Sequence, residues 1–200
     1  MPKIFCIGFQ KSGTTSLGAA FSALGYRVCG VTHELLPSLK LKDYSLLQEI
    51  VDQYDVCKDN PWPVLYRQLD QLYPGSKFIL TIRDESSWIK SVVNHFAKTP
   101  SAMVEFIYGV PFPVGNETLF LKTYHQHNVD VQAYFQDRPN DLLVIDLEKG
   151  NNWEKICTFL DIPVPSIPFP HVNKGAYTPI GKITKYIWKR IRARWRDLRG

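Results

Sequence analysis

Residues 8–15, Gly-Phe-Gln-Lys-Ser-Gly-Thr-Thr, follow an apolar run that begins at Ile4 and precede a helix-compatible stretch, Ser16 to Leu24, that closes at Gly25. Strand, glycine-punctuated loop and helix in that order constrain the chain more than any other segment does. Backbone N–H groups and the helix dipole at such a junction make a site for an anion. Gly8 and Gly13 let the backbone close around phosphate oxygens, Lys11 adds a point charge, and Thr14 and Thr15 offer hydroxyls and N–H groups at the helix start. A glycine-rich turn capped by threonine is the plainer reading. The coincidence of strand, two glycines, lysine and two hydroxyls in the required order argues against it.

Further along, apolar runs and helical patterns alternate. Tyr26 to Gly30 reads as a short strand, Tyr44 to Tyr54 as a helix, and Asp55 to Cys57 as a buried strand end. Val64 to Tyr73 is helical up to Pro74-Gly75, Lys77 to Ile82 is the clearest strand, and a helix runs from Ser86 to about Phe96. Leu119 to Phe135 is helical, Leu142 to Asp146 a strand, and Asn152 to Leu160 a helix before a proline-rich loop, 162–170. The alternation predicts an α/β fold: a three-layer sandwich around a central, mostly parallel sheet. Without an internal repeat or linker, residues 1–175 form one domain, followed by a basic tail, 176–200.

That tail carries the charge. The chain has 24 Lys+Arg and 19 Asp+Glu, a formal charge of +5, but residues 176–200 alone contribute +7 and residues 1–175 contribute −2. A near-neutral body argues against nucleic acid as a partner, since a duplex binder spreads Lys/Arg over its docking face. In the tail, Ile180, Ile183, Ile187, Ile191, Trp195 and Leu198 recur at helical spacing with Lys/Arg between them. This basic amphipathic helix has two readings: a terminal helix packed on the body, or a membrane-surface helix drawn to anionic lipid through residues 180–199. Four scattered cysteines suggest neither zinc site nor disulfide framework, and no stretch has signal-peptide or spanning character. The expected location is cytoplasmic, or peripheral at a membrane surface.

The kind of phosphate loop is decided by where its lysine sits. An ATP- or GTP-binding Walker A loop places Lys directly after the second glycine; here Thr14 follows Gly13 and the lysine is at position 11. The G-x-x-K-S-G-T-T form resembles the 5′-phosphosulfate loop of sulfotransferases that use 3′-phosphoadenylyl sulfate (PAPS). The resemblance implies a P-loop NTPase-like topology and PAPS as donor, with Gly8, Lys11, Ser12, Gly13, Thr14, Thr15 and Ser16 around it and no metal.

Other segments extend the likeness over roughly residues 3–175. Sulfotransferases end a strand in Arg and place a Ser eight positions later, both binding the donor's 3′-phosphate; Arg83 and Ser91 have that spacing after Lys77 to Ile82. Taken alone, Arg83 reads as an ion-pair partner of Asp84 or Glu85, and Ser91 as a helix-surface residue. Lys58-Asp59-Asn60-Pro61 stands where cytosolic members carry Thr-His-x-Pro, which makes Asp59 the candidate general base; it reads equally as a helix-capping or turn residue. The segment Phe169 to Gly175 resembles a closing segment whose basic residue and glycine cover the 3′-phosphate, here Lys174 and Gly175. Ser16 departs from the pattern, since cytosolic members often carry an adenine-stacking Trp there. It turns the likeness toward the carbohydrate and bacterial branches.

The implied activity is transfer of a sulfuryl group from PAPS to a hydroxyl or amine, with Lys11 and Asp59 catalytic. The acceptor is a small molecule, lipid or carbohydrate, with residues 92–120 (Phe96, Met103, Phe106, Tyr108 and Phe112 among them) expected to line its pocket and Trp62 a further candidate. A P-loop small-molecule kinase and a catalytically silent nucleotide-binding interaction module are the alternatives. His125 and His127 lie two apart on a helix and face different ways, so they do not share a metal.

Overall fold

The computed structural model describes residues 2–172; Lys174, Gly175 and the amphipathic pattern of residues 180–199 lie outside the described residues. Five parallel strands stand in the order β2-β3-β1-β4-β5: β1 Ile4–Cys6, β2 Val28–Cys29, β3 Val56–Lys58, β4 Lys77–Ile82 and β5 Leu142–Asp146. The helices are α1 Thr14–Ala23, α2 Leu36–Lys40, α3 Ser45–Asp52, α4 Tyr66–Leu72, α5 Glu85–Phe96, α6 Ala102–Tyr108, α7 Glu117–Tyr134 and α8 Asn152–Leu160.

Strand alternation builds the three layers. In β1 and just beyond it, Phe5 and Ile7 face a core with Leu47, Val51, Leu69, Phe78, Leu80, Val131 and Phe135, which belongs to α3, α4, α7 and the same face of β4. Ile4 and Cys6 face the opposite way, onto Leu17 and Phe21 of α1 and Ile156 of α8. Both faces of the central strands are thus covered, so β1 reads as a continuous apolar run rather than an alternating one.

The connection from β1 leads outward to β2, returns through β3, and then passes β1 to reach β4. A crevice therefore opens above the carboxyl ends of β3, β1 and β4, where an open parallel sheet binds its ligands. Residues 8–15, Asp59 and Arg83 all follow directly from those three strand ends.

Two helices depart from the expectation. Leu36–Lys40 and Ala102–Tyr108 fall in segments to which the sequence pattern assigns no element, and the second places Met103 and Tyr108 in the core rather than on a pocket wall. Ser101 caps it by accepting from the Val104 N–H, and Gly109 ends it at φ 75°. Both cap residues are visible in the sequence.

Candidate functional site

The loop between β1 and α1 turns on two residues of positive φ, Lys11 at 68° and Gly13 at 102°. Gly13 is the N-cap of α1, no side chain among the described residues caps that helix, and no acidic residue lies in its first turn. Its leading N–H groups and positive dipole end are left to an outside anion.

Most loop side chains point inward. Phe9 is buried against the His127 ring at 4.4 Å and Tyr108 at 5.5 Å. The Gln10 amide donates to the Tyr108 hydroxyl at 2.7 Å, and Trp88 Nε1 donates to the Gln10 carbonyl at 2.9 Å. Ser12 Oγ donates to the Phe9 carbonyl and lies 2.6 Å from Thr81 Oγ1, so Ser12 shapes the loop and offers no free hydroxyl to a ligand. A Cβ at Gly8 would overlap the backbone and side chain of Thr81, and one at Gly13 would stand 2.7 Å from Leu147 Cδ1. Lys11, Gly13, Thr15 and Ser16 remain at least partly open to solvent, whereas Thr14 is buried.

Lys11 is held below its ordinary range, first by partial burial and next by the Arg83 charge, with Asp59 acting the other way. Two cations facing one crevice favour an anion between them. Arg83 follows β4, with its backbone N–H donating to Tyr124 Oη at 2.8 Å while the same hydroxyl donates to the Arg83 carbonyl at 3.0 Å. Its guanidinium donates from Nη1 to the Lys11 carbonyl at 3.3 Å, and its Nη2 forms an ion pair with Glu148 at 2.9 Å. Its Nε is buried without a partner among the described residues. The ion pair expected with Asp84 or Glu85 is absent, because Asp84 caps α5 by accepting from Ser87 N and Glu85 pairs with His125. Ser91, two turns along α5, is half-buried and its hydroxyl has no hydrogen-bond partner among the described residues.

Asp59 leaves β3 with φ 64° and its carboxylate pairs with Lys58, both side chains largely shielded from solvent. It does not cap the turn at Trp62–Leu65, whose N-cap, Pro61, makes no side-chain bond. That removes the capping alternative. Trp62 is fully buried, with Nε1 donating to the Gly30 carbonyl at 2.9 Å, and so cannot touch an acceptor molecule. Ser16 Oγ accepts from the Val172 N–H at 3.2 Å, bringing the closing segment to the first turn of α1 two residues before Lys174.

Glu148, Gln10, Tyr108 and Tyr124 were not found by motif. Gln10 sat in the open, inside the loop itself. His125 is exposed and His127 buried, the latter bonded to the Ile7 carbonyl at 2.7 Å and pushed below its ordinary range by burial. Among the described residues no His/Cys/Asp/Glu cluster is placed to hold a metal ion, and no helix is long and apolar enough to cross a membrane. A groove of about 390 Å³ opens between α7 and the segment before α4, with Phe9, Val64, Tyr66, Thr123 and Gln126 on its walls. Leu119 brings the end of the expected 92–120 segment to its wall, while Phe96, Met103, Phe106, Tyr108 and Phe112 do not line it.

Comparison with known proteins gives two results. A family model described as a sulfotransferase domain matches residues 3–114 and 95–178. The Ava biosynthesis cluster protein M of Aspergillus versicolor is similar, 24% identical over 98% of this chain and 88% of its own length.

Proposed function

The chain belongs to the sulfotransferase domain family, and from that premise we propose that it transfers the sulfuryl group of PAPS to a hydroxyl or amine of a small-molecule acceptor. The observation that carries the reading is Arg83: a guanidinium at the crevice, beside Lys11, with a buried Nε that has no partner among the described residues. An unpaired buried donor costs about 1–3 kcal/mol, which an oxyanion at that edge would recover. A group with two phosphates fits the donors present.

PAPS, when bound, supplies the sulfuryl group and a leaving phosphate. Lys11 and the uncapped N–H groups of Gly13, Thr14 and Thr15 would hold its 5′ end, with Lys11 offsetting negative charge on the departing oxygen. Arg83 and Ser91 would hold the 3′-phosphate, so that a remote group orients the reacting end. Lys174 and Gly175 extend the same assignment from sequence. Asp59, held by Lys58, would take the acceptor's proton at its carboxylate. The groove walled by Phe9 and Val64 is the candidate seat for the acceptor's body. A relative named for a biosynthesis cluster supports a small biosynthetic acceptor.

Calorimetry with adenosine 3′,5′-bisphosphate and with ATP·Mg²⁺, followed by a radiolabelled-PAPS screen of sugars, lipids and phenols, tests this. The bisphosphate should bind and ATP should not; tight binding of ATP alone favours the kinase reading and ends this one. Bisphosphate binding without transfer to any acceptor favours an interaction module. Lys11→Ala should lower transfer about 100-fold while weakening nucleotide binding far less.

A further inference from the structure

The turn at Leu147–Lys149 leaves β5 and comes back over the crevice, and three contacts hold its backbone there. Asp146 Oδ1 accepts from the Glu148 N–H at 2.9 Å, Asn152 Nδ2 donates to the Leu147 carbonyl at 3.0 Å, and the buried Leu147 side chain backs Gly13. The Glu148 side chain itself is 61% exposed, yet one of its oxygens lies 2.9 Å from Arg83 Nη2. A fixed backbone thus presents a movable carboxylate to a binding cation.

The three donor positions of Arg83 are used unequally. Nη1 makes a long hydrogen bond to the Lys11 carbonyl, toward the loop. Nε and Nη2 form the fork that an Arg offers side-on to a carboxylate or phosphate. Glu148 takes only the Nη2 prong and leaves Nε unpaired and buried. Phosphate matches that fork as well as carboxylate does, and carries more negative charge.

We propose that Glu148 is a built-in competitor for the nucleotide's 3′-phosphate: both anions use the Nη2 edge of Arg83, so a 3′-phosphate binds only as the carboxylate swings away. This rests on the donor reading above. Glu148 then weakens the hold on every nucleotide that bears a 3′-phosphate, product included, and its return to Arg83 assists product departure. Nucleotides without a 3′-phosphate do not meet it.

Calorimetry of the full chain separates the two readings. Adenosine 3′,5′-bisphosphate and adenosine 5′-phosphate are titrated into the wild type, Glu148→Gln and Glu148→Ala, with a thermal melt to verify folding. Exposed ion pairs are weak, so both variants should bind the bisphosphate about five-fold more tightly and the monophosphate unchanged. Unchanged or weaker bisphosphate binding overturns the proposal and makes Glu148 a residue that orients Arg83. Equal tightening of both nucleotides also overturns it, as a diffuse charge effect. A wild type with no preference for the 3′-phosphate removes the donor reading itself, and this inference with it.

Discussion

The two ends of the crevice are built differently. The loop at Gly8–Thr15 is anchored through Phe9, Gln10 and Ser12 to four other elements, β4, α5, α6 and α7. At the other end the Arg83 backbone is tied to Tyr124, but its side chain has one weak hydrogen bond to the loop, one ion pair to an exposed glutamate, and an Nε unpaired among the described residues. A rigid seat suits the end where bonds change, since a misplaced donor there costs rate. An adjustable grip suits the end that must take hold of a ligand and let it go.

Stability measurements can break this contrast, because the anchored end should respond strongly and the Arg83 end hardly at all. The largest effect belongs to Gly8→Ala, whose methyl has no space beside the Thr81 backbone; urea unfolding should show a loss of about 3 kcal/mol or more. Tyr108→Phe keeps the ring stacked on Phe120 but strips the acceptor from the buried Gln10 amide, for about 1–3 kcal/mol.

The third prediction concerns pH. Burial holds folded His127 below the usual histidine range, so between pH 6.5 and that lower value the unfolded chain binds the proton and the folded one does not. Stability should therefore be full above about pH 6.5 and fall on acidification, by at most about 1.4 kcal/mol per pH unit from this residue. His127→Gln should lack that slope, so the wild-type-minus-variant difference carries it alone; His95, also lowered, cancels in the difference.

The smallest effect is expected for Arg83→Gln. Its lost ion pair is offset by relief of the unpaired Nε, so stability should stay within about 1 kcal/mol while bisphosphate affinity falls. A cost equal to that of Tyr108→Phe would show that the two ends are equally tied.

What could be read from the sequence divides along the same line. The strand–loop–helix at the N-terminus and the strand ending at Arg83 follow from local patterns: an apolar run, glycine spacing, and a helix closed by Gly25. The parallel order of the strands follows from their alternation with helices. Which residues would brace the loop did not, because Gln10 meets Tyr108 across 98 residues of chain and His127 meets Ile7 across 120. Asp59 shows the same limit at short range: read equally as a base and as a capping or turn residue, it pairs with the neighbouring Lys58, which the pattern did not point to. The partner of Arg83 was sought among its sequence neighbours and came from beyond β5.

The inward set of Phe9, Gln10 and Ser12 also bears on protein engineering. Residues 8–15 look like a portable cassette, eight residues that any strand and helix might display. Moved alone into another α/β scaffold, they would arrive without Tyr108, Trp88, Thr81 and His127, and with an aromatic ring and a polar amide needing new hosts. A transplant that keeps its shape must carry the residues of β4, α5, α6 and α7 that receive it, so the transferable unit is about the size of the domain.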